Sequence, residues 1–480
     1  MTAEALPREM GDMPTREGDL RIEQRGIEPI PLEARYGSLS RVFTVWFTPN
    51  LVPAAFFIGT LAAAGFLKVG FVTGVAAIIV GNLVGSILVG FLATMGPRTG
   101  MAQIPFARRP FGKSIVAPGL LNWLSCIGWD GINNVFGAAA LTLLFPVLPF
   151  PAWLAVIVLA TMTLGVLGYE AIHQFEKYMA IVLGAMFVVL TVAIAGQAST
   201  ARVDGFTGLD QVGAFILFTT ISASFVLAWG LYASDYTRYL PADSPRGRVF
   251  LYTVLGLTLS AGWIEILGLA VADKSTGPAV GTINTILGGG LLGGLALIAI
   301  AIGTVAVNAL NDYTGSLSLL AAGIRVPRVV SAIVVAILGF GFTLYLNAGD
   351  LALKFESYLL FLSYWIAPWA AVVVVDWIRS RERFDPRALL DFRRLHAGIP
   401  ALVALIAGFV VGLPFQTSTF GGEIAKATSL PINTIAAGNL YYADLAYVVG
   451  FVVAAVVYWV GARFAAGSPE ESDVAEAAAS

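Results

Sequence analysis

The chain of 480 residues is much more apolar than a water-soluble protein. Hydrophobic residues make up 58% of it, charged residues only 12%, and the mean hydropathy is +0.82, whereas soluble domains carry about a quarter charged residues. This composition excludes an ordinary soluble globular protein, and a net charge of -2 gives no indication of a nucleic-acid partner. We therefore expect one all-α integral membrane domain in a lipid bilayer.

Apolar runs predict twelve transmembrane helices, because about 20 helical residues cross about 30 Å of hydrocarbon. The spans are predicted at residues 43–67, 71–95, 115–145, 151–169, 177–197, 211–234, 248–272, 291–321, 328–346, 352–376, 399–415 and 441–464. The transmembrane domain thus covers residues 43–464, and residues 1–42 and 465–480 are predicted to be cytoplasmic tails. The polar start of the chain gives no sign of a removable signal peptide, and the single cysteine, Cys126, cannot form an intrachain disulfide.

The distribution of Lys and Arg supports this topology, since cytoplasmic loops retain positive charge during insertion. With both termini inside, 23 of the 28 basic residues lie on the cytoplasmic side. The five on the other side are Lys68, Arg202, Lys274, Lys354 and Lys426. A model with an odd number of spans would scramble this alternation.

Two of the predicted spans contain residues that interrupt helices. The first has Pro49, Asn50 and Pro53, and proline in a helix interior removes a backbone hydrogen bond. The sixth has Gly230 followed by the polar residue Ser234. These are corresponding positions if ten spans form two five-helix repeats, a pattern that indicates a substrate site near the membrane midplane. The alternative is that Pro and Gly are simply common in membrane helices.

The third span carries an aromatic and an amide side chain on one helical face. Trp129 and Asn133 are four residues apart in GWDGINN. A flat heterocycle could stack on the indole ring and pair with an amide that both donates and accepts hydrogen bonds. The alternative is a packing tryptophan and an asparagine that bonds to a neighbouring helix.

Similar side chains occur in the eighth and sixth spans. Asn308 and Asn311 lie three apart with Asp312 adjacent, and Trp229 follows Phe225 just before the interruption of the sixth span. The amides could instead cross-link helices, an interpretation that we favour slightly for Asn308. For Trp229 the alternative is a place in the aromatic belt at the membrane surface.

Embedded acids could carry protons, since an apolar environment favours the neutral form of a carboxyl group. The candidates are Asp130, Glu265 and Glu356, and for each a local hydrogen bond or ion pair is the alternative. No HExxH motif, P-loop or dinucleotide fingerprint occurs, and two histidines with one cysteine leave little for a metal site. We therefore expect no metal, no cofactor and no enzymatic activity.

The ordered motifs RGIEPIP, WFTPN, GWDGINN, YASDYTRYLP and NALNDYTGSLSL resemble the purine-cytosine permease branch of the nucleobase cation symporter family. The resemblance runs from about residue 20 to the twelfth span. It implies a LeuT-type fold, in which two inverted five-helix repeats are followed by two further helices. It also implies a substrate held between spans 1, 3, 6 and 8.

The same resemblance assigns roles to individual residues. Trp129 matches a tryptophan that stacks on the substrate, Asn133 a polar substrate-binding position, and Trp229 the opposite aromatic wall. Asn311 matches an asparagine that pairs with the base, and Asn308 a neighbouring asparagine tied to specificity. With Phe225 and Ala55, these residues form the predicted substrate-binding set.

Two departures from the family pattern leave the identity of the substrate open. Fungal members tend to carry serine where this chain has Ala55, and proline where it has Leu310. Sodium-coupled relatives place hydroxyl side chains where this chain has Val305 and Ala306, although Thr304 lies close by. We therefore favour proton coupling.

The resulting expectation is a secondary active transporter in the cell membrane. It would import cytosine or a purine by proton symport with alternating access. The alternatives are a symporter for another small heterocycle, such as hydroxymethylpyrimidine, a vitamin or allantoin, and coupling to sodium. A channel or a membrane enzyme is the alternative from another class.

Overall fold

The protein folds into a bundle of long apolar helices, seen in a computed structural model that describes residues 27–464 except 168, 276, 325, 327 and 381–384. All regular structure in these residues is helical. The predicted C-terminal tail, and residues 1–26 of the predicted N-terminal tail, lie outside the described residues. In the described residues, nine spans are each formed by one helix, namely Phe71–Ala93, Val116–Leu144, Phe150–Leu167, Tyr169–Ala195, Arg246–Ala270, Gly290–Ala321, Arg328–Asn347, Leu351–Arg379 and Ala446–Phe464.

The first span is interrupted where the sequence predicts. Helix Leu39–Phe47 ends in a 3-10 turn, Thr48–Asn50, and a second helix runs over Pro53–Thr60 with a 3-10 end at Leu61–Ala63. The two halves are bent by 63° relative to each other. Val52 is extended, with φ -132° and ψ 150°, because a residue that precedes proline avoids the helical region.

The sixth span is interrupted more mildly than predicted. Helix Gly208–Leu227 passes into a 3-10 segment, Ala228–Tyr232, and then into the short helix Ala233–Thr237. The stretch is not sharply bent and counts as one span of 30 residues. The local change of helix type falls at Trp229 and Gly230, so it alters how side chains are presented there rather than the direction of the span.

The end of the domain departs from the predicted boundaries. The eleventh span, Ile399–Gly412 with a 3-10 end at Leu413–Phe415, is followed by helix Thr419–Thr428, which is bent from it by 93°. A short helix, Thr434–Asn439, comes next, and the twelfth span runs over Ala446–Phe464 rather than from residue 441. Tyr441 and Tyr442 have positive φ values of 51° and 62°, so they form a turn and cannot continue a helix.

Twelve spans are consistent with the length and composition of these helices. Among the described residues, seven helices are long and apolar enough to cross a membrane singly, and two bent helix pairs add two more if each pair forms one span. Two shorter apolar helices lie at Phe150–Leu164 and Ile333–Asn347. The third span, Val116–Leu144, has 29 residues and a length of about 44 Å. Its hydropathy is lowered by polar residues such as Asn122 and Asp130, which are buried inside the bundle.

Segments between spans also form helices that pack against the bundle. The loop before the third span contains Met95–Thr99, Gln103–Phe106, Arg108–Phe111 and a 3-10 turn, Gly112–Ile115, and Ala279–Ile286 precedes the eighth span. The remaining 3-10 turns are Leu32–Ala34, Ala272–Lys274, Pro386–Leu389 and Phe392–Arg394. Arg108 is only 1% exposed and donates to the carbonyl oxygens of Ala321 and Leu389 at 2.8 and 2.7 Å. Its guanidinium therefore ties the loops at one end of the bundle together.

The seventh span packs against the second half of the first span through glycines. A Cβ on Gly59 would lie 1.8 Å from the carbonyl oxygen of Glu265, and a Cβ on Gly268 would lie 1.9 Å from that of Phe56. Small residues let membrane helices approach this closely. The contact fixes the bent half of the first span, which forms part of the site described below.

We expect Gly268→Ala to destabilise the protein by about 1–3 kcal/mol, because the new methyl group would have to displace a backbone carbonyl. Gly262→Ala, on the same helix, is the matched control, since its Cβ would meet only a methyl of Ile78 at 4.0 Å. The measurement is the thermal unfolding midpoint of the purified protein in detergent. Equal midpoints for the two variants would contradict the close packing of spans 1 and 7.

Candidate functional site

A cavity lies where the interrupted parts of the first and sixth spans face the middle of the third and eighth spans. Its volume is about 40 Å³, which exceeds the space that a single water needs. Most of the wall is apolar or aromatic. The lining residues are Pro49, Val52, Ala54, Trp129, Asn133, Phe225, Ala228, Trp229, Tyr232, Val307 and Asn311.

Five of the seven residues in the predicted substrate-binding set line this cavity, namely Trp129, Asn133, Phe225, Trp229 and Asn311. Ala55 is fully buried and is not among the lining residues, whereas its neighbour Ala54 is. Asn308 is also fully buried and lies behind the wall of this cavity. Residues 54 and 55 differ because successive residues of a helix point in directions about 100° apart.

The position of Trp229 depends on a residue of the other interrupted span. Its indole Nε1 donates to Oδ1 of Asn50 at 3.0 Å. The amide of Asn50 in turn donates to the carbonyl oxygen of Trp46 at 2.9 Å and to Oγ of Ser260 at 3.0 Å. Asn50 is fully buried and thus joins spans 1, 6 and 7 at the level of the cavity. The sequence marks Asn50 only as part of the helix interruption.

Trp129 is held by two aromatic neighbours in edge-to-face contact. Its ring centroid lies 5.8 Å from that of Phe225 at an interplanar angle of 73°, and 5.3 Å from that of Tyr358 at 85°. Tyr358 is itself fixed by a hydrogen bond from its hydroxyl to the carbonyl oxygen of Ser125 at 2.7 Å. The indole is therefore oriented before any solute enters, which lowers the entropy cost of binding.

Asn133 and Asn308 form a chain of amides between the third and eighth spans. Asn133 Nδ2 donates to Oδ1 of Asn308 at 3.0 Å, and Asn308 Nδ2 donates to Oδ1 of Asn134 at 3.0 Å. Asn308 thus cross-links the third and eighth spans, which is the role that the sequence analysis slightly favours for it. It supports Asn133 from behind rather than facing the cavity.

Asn311 reaches in two directions. It lines the cavity, and its Nδ2 donates to Oδ1 of Asp130 at 3.0 Å. Asp130 is 4% exposed and belongs to the third span. The orientation of this amide is therefore set by an acid that does not itself line the cavity.

Tyr232 is a lining residue that the sequence analysis missed. It ends the 3-10 segment of the sixth span, and its hydroxyl donates to Oδ1 of Asn122 at 3.3 Å. The sequence signal that could have identified Tyr232 is an aromatic residue three positions after Trp229 in an interrupted helix. Its side chain adds a third aromatic wall from the sixth span.

The cavity suits an uncharged, flat solute. Its lining contains aromatic rings and two amides but no Asp, Glu, Lys, Arg or His. Aromatic faces favour stacking with a planar ring, and amides can match alternating donors and acceptors at its edge. Among the residues that the structure describes, no group of three or more His, Cys, Asp or Glu is placed to hold a metal ion.

Known proteins of similar sequence are permeases. The sequence model of one family, described as "Permease for cytosine/purines, uracil, thiamine, allantoin", matches residues 29–450. The chain is 28% identical to the purine-cytosine permease fcyB of Emericella nidulans over 473 residues, which cover 92% of this chain and 88% of that one. It is 26% identical over 457 residues to the putative purine-cytosine permease YxlA of Bacillus subtilis, covering 92% and 96% of the two chains.

The fold is shared with a transporter of known structure. Mhp1, a nucleobase-cation-symport-1 family transporter solved in a closed conformation with bromovinylhydantoin bound, matches with a TM-score of 0.72. The identity is 18%, and the match covers 92% of this chain and 95% of Mhp1. The predicted LeuT-type architecture is confirmed by this likeness. With the family match over most of its length, the chain belongs to the family of permeases for cytosine, purines, uracil, thiamine and allantoin, and it is a multi-pass membrane transporter rather than an enzyme.

Proposed function

We propose that this permease imports a nucleobase, cytosine or a purine, by proton symport with alternating access. The observation that carries the proposal is the convergence of two tryptophans and two amides, from the third, sixth and eighth spans, on one uncharged cavity beside the interrupted first span. In such a site a base stacks against Trp129 and Trp229 and pairs with Asn133 and Asn311. Its binding then favours closure of one part of the bundle against the other.

The absence of charge in the cavity wall favours a neutral solute. Transfer of an ion out of water costs far more free energy than transfer of a polar but neutral ring. Cytosine and purines present ring nitrogens and exocyclic groups at their edges, and amides recognise such groups. The base-binding roles of these residues rest on this chemical match.

Proton coupling is supported by the environment of the eighth span. The two positions that carry hydroxyls in sodium-coupled relatives are Val305 and Ala306. The nearby hydroxyl of Thr304 lies against the third span, where it donates to the carbonyl oxygen of Asn133 at 3.4 Å. This hydroxyl is therefore already engaged by the third span.

The orientation in the membrane follows from charge. The excess of Lys and Arg in alternate loops supports cytoplasmic N- and C-termini. We assign the protein to the cell membrane, plasma or inner, where import of a base would take place.

A permease for another small heterocycle is the second candidate. The family description includes uracil, thiamine and allantoin, and this chain departs from the fungal pattern at Ala55 and Leu310. Both residues are buried, and each is adjacent in sequence to a residue that lines the cavity, Ala54 or Asn311. They could therefore alter the shape of the cavity without touching the solute.

We expect Asn311→Ala to weaken base binding by about tenfold, since a hydrogen bond to the substrate is worth about 1–1.5 kcal/mol. The measurement is the affinity for radiolabelled base of the purified, correctly inserted protein. Asn284→Ala is the control, because Asn284 lies on the helix before the eighth span and not on the cavity. Unchanged affinity in Asn311→Ala would argue strongly against the assigned site.

We expect uptake into proteoliposomes to be abolished by a protonophore and to be indifferent to sodium. The physical reason is that Val305 and Ala306 on the eighth span have no hydroxyl groups with which to bind sodium. Replacing sodium by choline in the outside buffer is the direct comparison. A strict requirement for sodium would overturn proton coupling while leaving the substrate assignment intact.

We expect unlabelled cytosine or a purine to compete with labelled base at lower concentration than hydroxymethylpyrimidine, pyridoxine, thiamine or allantoin. The reason is that two amides and two indoles match an aromatic ring with several edge donors and acceptors. The competition is measured as inhibition of uptake across the panel. Stronger competition by one of the other heterocycles would assign the protein to the second candidate function.

A further inference from the structure

A second, smaller cavity lies behind Asn311, between the third, fourth, eighth and ninth spans. Its polar lining residues are Asp130, Asn134, Thr161, Asn308 and Asp312, and its other walls are apolar. Its volume is about 20 Å³, which is enough for one water. The cavity between Trp129 and Trp229, which we call the candidate base cavity, shares no lining residue with it.

The two acids of this smaller cavity lie together. Asp130 of the third span and Asp312 of the eighth line the same cavity, which has room for about one water, so their carboxyl groups lie close to each other. Two carboxylates side by side and away from water repel each other, so such a pair is most stable when it shares one proton. In this arrangement one acid donates and the other accepts.

The described charged and titratable groups around the pair do not disfavour a shared proton. The cavity lining from the fourth and ninth spans holds no titratable group, and no Lys, Arg or His lines the cavity. Cys126 on the third span and Tyr358 on the tenth also face Asp130. Both are neutral at ordinary pH, so the described residues around the pair supply no cation that would compete with the proton.

A hydroxyl with no partner points to the same place. Thr161 is 6% exposed, lines the smaller cavity, and its Oγ1 has no hydrogen-bond partner among the described residues. Oδ1 of Asp312 also lacks a partner. Buried polar groups are nearly always paired, so these atoms are suited to a water or a proton donor that enters the cavity.

Asn311 connects the acid pair to the candidate base cavity. Its Nδ2 donates to Asp130, and an ionised carboxylate accepts this bond, whereas a neutral carboxyl can donate one. An ionised carboxylate accepts this bond more strongly than a neutral one, so the protonation of the acid pair changes how firmly the Asn311 amide is held beside the solute. The other buried acids among the described residues bond elsewhere. Glu265 accepts from Asn82 at 2.9 Å, Glu356 accepts from Ser357 at 3.0 Å, and Asp444 accepts from the backbone N–H of Thr417 at 2.8 Å.

We propose that Asp130 and Asp312 form the proton-binding site of this transporter, and that Asn311 conveys their protonation state to the base. The coupling part of this inference rests on the proposed function. A sodium ion would need several free oxygen ligands, whereas Oδ1 of Asn134 is already engaged by Asn308. The geometry therefore favours a shared proton over a metal cation.

The first test needs no substrate. Infrared difference spectra of the reconstituted protein, recorded against pH in water and in deuterated water, report the C=O stretch of protonated carboxyl groups. We expect one component of this band to disappear in both Asp130→Asn and Asp312→Asn. In the control Glu265→Gln this component should remain. Its persistence in both aspartate variants would overturn the shared-proton pair.

The second test separates coupling from binding. With a proton gradient, accumulation of labelled base by Asp312→Asn should fall by about tenfold or more, while exchange of internal for external base without a gradient should persist. Wild-type affinity for the base should rise as pH falls, because proton and base bind together, and in Asp312→Asn it should be flat. Glu265→Gln is the matched variant of a buried acid outside both cavities.

The outcomes of the two tests are distinct. Full gradient-driven accumulation in Asp312→Asn, or loss of coupling in Glu265→Gln alone, would overturn the proton site. If the wild-type protein exchanges none of the bases tested, the proposed substrate class fails, and the infrared spectra still decide the proton site. An unfolded Asp312→Asn protein is recognised by its thermal midpoint, and Asp130→Asn then serves as the second variant.

Discussion

The hydrogen bond from Trp229 to Asn50 joins the two interrupted spans inside the lipid, and the candidate base cavity depends on this link. Irregular backbone at membrane depth is tolerated only where it is buried in protein or lines a cavity. Asn50 meets that requirement for the first span and also bonds to Ser260 of the seventh. The same contacts that satisfy the interruption therefore orient an indole toward the cavity.

Support for the cavity comes from the residues behind its wall as much as from those that line it. Asn308 holds Asn133, Asp130 holds Asn311, and Tyr358 holds Trp129. Binding groups fixed in this way lose little entropy when a solute arrives. A site built on packed helices can thus discriminate by small differences in hydrogen bonding, and its specificity can change through residues that never touch the solute.

The two cavities differ in the polar groups that line them. The cavity beside Trp129 and Trp229 is free of charge, whereas the cavity beside Thr161 contains two acids. Charged groups in a membrane are costly and are retained where they serve a pathway or have a partner. In the proposed mechanism, a neutral base site is thus separated from a titratable pair, with the amide of Asn311 between them.

The sequence by itself determined the membrane class, the twelve spans, the interruption of the first span and five of the residues that line the cavity. Apolar run length, prolines and helical spacing are local properties, so these features follow directly from the order of residues, and the motif resemblance added the fold. Only the tertiary structure decided that Ala54 rather than Ala55 faces the cavity, that Asn308 stands behind it, and that Asn50 and Tyr232 take part. It alone also brought Asp312 and Asp130 to the same cavity. Those outcomes depend on the rotation of each helix about its axis and on partners from distant spans, which no local pattern encodes.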